Sequence, residues 1–216
     1  MPINATAYDT ALVVEPFPPP DSDGFRRAWT WLEQRQREVG GQILVYALLF
    51  DHPGLSDYRH DRRVRLASHK YARGVLGWDG GPVLALNPNR ESVGTIAEDP
   101  RTRALCVLTC QHISTLNCVD GWRLAARPRP LGAVPPVTAH PDAIDAVAVA
   151  GLREIQAVIE ADPDGLSRQR TERARILARL RAAGRCPGAN DAYAWALVNG
   201  WSARAAEVLR SMAGNV

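Results

Sequence analysis

Short apolar runs alternate with amphipathic stretches along the first 126 residues. Phe25, Ala28, Trp29, Leu32 and Val39 recur at helical spacing through 23–39, and Gly40-Gly41 ends that stretch. The run QILVYALLF (42–50) is continuously apolar, short and bounded by Gly and by DHPG, the pattern of a strand buried on both faces. PVLALN (82–87) and RALCVL (103–108) repeat that pattern. Between the runs lie a mainly helical stretch at about 57–76 and the shorter RESVGTIAE (90–98); ISTLNCVDGWRLAA (113–126) follows them. Strands alternating with helices predict parallel pairing through right-handed crossovers. The fold class is therefore α/β, a small three-layer parallel-sheet domain of the Rossmann-like kind.

RPRPLGAVPPVTAHPD (127–142) then places five prolines in sixteen residues, so no helix runs through it and a linker is the natural reading. Beyond it the pattern is helical throughout: AIDAVAVAGLREIQAVIEA (143–161), LSRQRTERARILARLRAAG (166–184), NDAYAWALVN (190–199) and SARAAEVLRSMAG (202–214). The expected organisation is an α/β domain at 1–130, a Pro-rich linker at 131–142 and an all-α domain at 143–216.

Composition adds limits to this picture. With 216 residues, 46% hydrophobic and 23% charged, the chain is an ordinary globular protein and not a disordered tail. MPINATAYDTALVVEPFPPP has neither a basic opening nor a long apolar run, and no window reaches the roughly 18–20 uncharged apolar residues of a membrane span. No membrane partner and a cytoplasmic location are expected. Cys106, Cys110, Cys118 and Cys186 form no C-x-x-C pair, so reduced thiols are expected and no zinc ribbon. The net charge of +3 becomes informative once located. Residues 152–216 hold ten Arg against seven Asp plus Glu, while 1–151 are balanced, and 166–185 hold seven Arg against the single Glu172.

That excess coincides with a second pattern in YAWALVNGWSARAAEVLRSM (193–212). Ala196 and Gly200 have the spacing of a helix-turn-helix, with a small residue at the crossing and Gly in the turn. Trp201, the capping Ser202, and the inward-facing Ala206 and Leu209 continue it. On the preceding helix Arg168, Arg175 and Arg179 fall within about 40° of one another, opposite Ile176, Leu177 and Leu180. A basic ridge beside a groove-reading helix suits phosphate contacts, with Arg204 and Arg210 at the groove. Only two basic residues and the repelling Glu207 lie on the exposed side of that helix, which is sparse for base reading. A packed helical bundle serving protein interaction or homodimerisation explains the same residues. Residues 59–73, with His60, Asp61, Arg62, Arg63, Arg65, His69, Lys70 and Arg73 between Tyr58 and Tyr71, form a second basic region.

Ligands of parallel sheets bind beyond the carboxyl ends of the strands. The loops there, FDHPG, LNPNRE and LTCQHIS, offer Asp51, His52, Asn87, Asn89, Arg90, Thr109, Cys110, Gln111 and His112. The candidate pocket is Asp51, His52, Asn87, Asn89, Arg90, Cys110 and His112, with Asn89 capping a helix whose N-terminus and Arg90 suit an anion. A Cys110 thiolate paired with His52 or His112 is the one nucleophile on offer. WDGGP precedes a strand instead of following one, so no dinucleotide or phosphate loop is indicated. Cys106 and Cys110 lie four residues apart on one strand, too far for one zinc ion. No catalytic residue, metal or cofactor is assigned. The expectation is a nucleic-acid-associated protein, the alternatives being an interaction module or a small-molecule-binding enzyme with its site at the strand ends.

Overall fold

The computed structural model describes residues 8–16, 22–47, 55, 58, 60–68, 77–161 and 166–214, without the side chains of 113–115, 161 and 166–169. Six strands form one sheet: β1 (Asp9–Glu15), β2 (Ile43–Ala47), β3 (Val64–Ser68), β4 (Gly81–Leu86), β5 (Thr102–Cys110) and β6 (Arg129–Pro130). Their order is β3-β2-β4-β5-β1-β6, and every pairing is parallel. The helices are α1 (Asp23–Val39), α2 (Arg90–Glu98), α3 (Ile113–Ala126), α4 (Ala146–Ala161), α5 (Leu166–Ala182), α6 (Ala189–Val198) and α7 (Ala203–Gly214). The α/β class that the alternation predicts is the class observed.

Period-two alternation sends each strand's side chains to two helical layers. Ala11, Val13, Ile43, Val45, Leu84, Leu86, Cys106 and Leu108 pack with Phe25, Ala28, Trp31 and Leu32 of α1. Leu12, Leu44, Tyr46, Val83, Ala85, Leu105 and Val107 pack with Val93, Ile96 and Ala97 of α2 and with Val119 and Trp122 of α3. Buried on both sides, β2 and β4 read as unbroken apolar runs. Crossovers toward the β3 edge, which use α1 and then Leu55 and Tyr58, lie on the α1 face. Those toward the β6 edge, which use Trp78, α2 and α3, lie on the other. A single crossover hand requires that segregation.

Three strands depart from the sequence reading. β1 occupies an interior place between β5 and β6, although no element is expected before residue 23. Its apolar core, ALVV, is four residues long and precedes a proline-rich stretch, too short for periodicity to separate from a loop. β3 stands inside the stretch expected to be helical; 69–76 lie outside the described residues. β6 takes up Arg129 and Pro130 from the Pro-rich segment, opposite Ala11 and Leu12. Proline is tolerated there because an edge strand has no partner for the missing N–H.

The rest of that segment is tied down as a strap. Leu131 N–H donates to Leu12 O (2.9 Å), Thr138 N–H and hydroxyl donate to Asp120 Oδ2 (2.8 and 2.7 Å), and His140 N–H donates to Asp191 Oδ1 (2.8 Å). Arg123 reaches Pro135 O and also pairs with the buried Asp120 (2.9 Å). Past the strap, the cluster on the α2–α3 face continues into Ile176, Leu177, Leu180, Tyr193, Trp195, Leu197 and Leu209. Two glycines permit the close approach. A Cβ on Gly94 of α2 would lie 2.2 Å from Ala203 Cβ of α7, and one on Gly121 of α3 would lie 2.6 Å from the Tyr193 ring of α6.

Candidate functional site

In an open parallel sheet a crevice forms where neighbouring strands send their connections to opposite faces. β2 leads to the α1 face and its neighbour β4 to the α2 face; β1 and β5 repeat the divergence. At the carboxyl end of β4, Asn87 stands in the left-handed region at φ 43. Its N–H donates to Leu108 O (2.8 Å), and its Oδ1 accepts from Cys110 N–H (2.9 Å) and Cys110 Sγ (3.3 Å). The amide thus carries the β4–β5 ladder past Leu86 and locks the last residue of β5.

Asn89, two residues on, is the expected N-cap of α2 and accepts from Ser92 N–H (2.8 Å). Arg90 turns away from the crevice. Its guanidinium donates to Asn117 O (3.0 Å) and Asn190 Oδ1 (3.1 Å) and stacks on Tyr193 with 5.2 Å to the ring centroid, joining α2 to α3 and α6. Its Nε is buried with no hydrogen-bond partner. His112 precedes α3 at an exposed position without capping it by a side-chain hydrogen bond. Asp51 and His52 lie outside the described residues. Of the seven predicted pocket residues, the structure brings Asn87 and Cys110 into contact, places Asn89 beside them, and commits Arg90 to the helix packing.

Tyr46 and Ser92 belong to this end of the sheet and carry no sequence signal, since each is one polar residue in an apolar context. Tyr46 near the end of β2 shares a 2.8 Å hydrogen bond with Ser92 in the first turn of α2. Burial pushes the Tyr46 phenol above its ordinary value, and the Ser92 hydrogen bond acts against that rise. Cys106 in mid-strand, fully buried against α1, is likewise raised by desolvation, far out of the thiolate range. Among the described residues no three His, Cys, Asp or Glu gather as metal ligands.

Three of the five arginines expected at a nucleic-acid contact are paired with carboxylates. Arg175 bonds Glu172 (2.6 Å), Arg210 bonds Glu207 (2.6 Å) and Arg179 bonds Glu154. The Arg168 side chain lies outside the described residues, and Arg204 is exposed. The amino end of α7 is covered, because Ala203 is buried against Gly94 and its N–H donates to Glu98 Oε1 (2.5 Å). In the second basic region Arg63 pairs with Asp61 (2.7 Å), while His69, Lys70, Tyr71 and Arg73 lie outside the described residues.

No family model, curated protein or solved structure matches the chain. The architecture itself therefore supplies the class: an α/β protein with a six-stranded, wholly parallel sheet. Among the described residues no helix is long and apolar enough to cross a membrane.

Proposed function

We propose that the chain binds a small anionic ligand at the carboxyl ends of β2, β4 and β5. The observation that carries this reading is Asn87. A left-handed non-glycine residue, over-determined by three hydrogen bonds, sits beside the divergence of β2 and β4. Next to it the Arg90 and Glu91 N–H groups of α2 precede the first bonded amides, those of Ser92 and Val93, and form the helix's positive end. Cys110 donates to Asn87 at the same strand end. The test is a thermal-shift panel of nucleotides, sugar phosphates and small carboxylates on the full chain. At least one compound should raise Tm, and Asn87→Gly, which tolerates the same backbone, should abolish the gain. A flat panel, or a gain indifferent to Asn87→Gly, overturns the proposal.

A second reading, contact with nucleic acid, is favoured by a different observation. Among the described residues of the basic third, Arg153, Arg170 and Arg204 are exposed without a carboxylate partner. The α6–α7 hairpin also keeps helix-turn-helix features, with Ala196, Ala206 and Leu209 buried, Gly200 at φ 84 and Ser202 Oγ accepting from Ala205 N–H (3.2 Å). The Glu98 contact at the start of α7 works against groove entry, so phosphate contact is the form supported. Full-chain binding to mixed-sequence duplex should weaken steeply with salt. Replacing Arg153, Arg170 and Arg204 with Gln should flatten the log–log slope by about three. No binding at about 50 mM salt rejects this reading.

A further inference from the structure

On the α1 face a groove of about 590 Å³, which shares no lining residue with the Asn87 site, runs between α1 and the β6 edge. Arg26, Arg27, Thr30, Trp31 and Gln34 of α1 form one wall; Arg129, Pro130 and Leu131 form the other. Strand alternation explains the second wall, for Leu131 packs into the α1-face cluster and Arg129, two residues earlier, falls on the same face. Three guanidinium groups face a single lining carboxylate, Asp23, which is held by Arg26. Arg27 is set in place, with Glu15 at 3.4 Å and Gly132 beneath it, where a Cβ would come within 3.2 Å of its nitrogen. Arg129 is exposed and has no acceptor among the described residues. Pro130, Leu131 and the narrow exposed edge of Trp31, whose ring carries the Arg35 guanidinium 5.8 Å from its centroid, supply apolar surface between these charges.

One charge and one proline suffice to blunt an edge strand against pairing. They do not account for two more arginines on the facing helix, nor for the concavity. We propose that this groove binds the phosphate monoester of a small molecule with a flat apolar body, the phosphate held between Arg27 and Arg129 and the body laid along Trp31, Pro130 and Leu131. The volume lies within the range of small-molecule sites, and guanidinium groups contributed by both walls suit a phosphate dianion.

The full chain is titrated with phenyl phosphate, inorganic phosphate, phenol and a twelve-residue oligothymidylate, following the Trp31 indole N–H resonance assigned through Trp31→Phe. Phenyl phosphate should bind saturably and more tightly than inorganic phosphate or phenol. Arg129→Gln should weaken it about tenfold and Arg27→Gln with Arg129→Gln about a hundredfold, with Tm unchanged. Arg37→Gln, an equal charge change on an exposed arginine farther along α1, should leave it intact. Asn87→Gly should also leave it intact, which separates this groove from the strand-end site. The proposal falls if phenyl phosphate fails to saturate at about 10 mM, if Arg37→Gln weakens it as much as Arg129→Gln, or if only the oligonucleotide binds.

Discussion

At φ 43, Asn87 pays about 1–2 kcal/mol that glycine would not, and its side chain returns part of this through Cys110. Asn87→Ala loses the hydrogen bonds and keeps the strain, whereas Asn87→Gly loses the bonds alone. The alanine variant should therefore be less stable than the glycine variant by about 1 kcal/mol in urea unfolding; equal stabilities would place Asn87 outside the left-handed region. Glu98 makes a pH-dependent contribution of the opposite kind. Burial raises its carboxyl above the usual carboxylate range, and the Ala203 N–H opposes that rise. A carboxyl raised in the folded state favours the protonated form, so ionisation costs stability as pH rises through the window between the unfolded and folded values. Glu98→Gln keeps an acceptor for Ala203 and removes the titration. Relative to that variant, the wild type should gain stability as pH falls through that window, and a constant difference would remove the desolvation argument. Asn89 was legible as a cap because capping is local, but the diversion of Arg90 was not, because its partners Asn117, Asn190 and Tyr193 arrive from two other helices.

Among the elements, Gly94→Ala tests the contact of α2 with α7. The added Cβ would meet Ala203 Cβ at 2.2 Å, so one helix must move. Thermal or urea unfolding should show a loss of about 1–3 kcal/mol, whereas alanine in an open helix would stabilise. A more stable variant would mean that α2 and α7 are not in contact. The reading of α2 as 90–98 and of α3 as 113–126 coincides with the observed spans, because Asn89 marks the start of α2, Pro100 follows its end and Pro128 follows the end of α3. Strands fared less evenly. β2, β4 and β5 announced themselves through burial on both faces, while β1 has only the four-residue apolar core ALVV, and β3 and β6 carry arginine at the sheet edges. A charged edge strand has no periodicity to distinguish it from a loop or from the outer face of a helix.

Across the whole molecule, the parallel architecture was legible from the alternation of runs, but the strand order was not, since pairing across the sheet leaves no local mark. That order has a kinetic consequence. Asp9 pairs with Ala104 and Ala11 with Arg129, so β1 has no ladder until segments made much later in translation are present. By contrast β4, α2 and β5 are consecutive, and their pairing closes a short loop. Loop-closure entropy favours that unit as the nucleus, with β1 inserting afterwards between β5 and β6. Leu105→Ala in β5 should slow refolding in stopped-flow, while Leu12→Ala in β1 should leave the refolding rate nearly unchanged and accelerate unfolding. Equal slowing by both would mean that β1 is already in place at the barrier. Until then β5 presents a free edge of the sheet, so during folding the molecule is exposed to pairing with a second copy at a strand that the finished fold keeps in its interior.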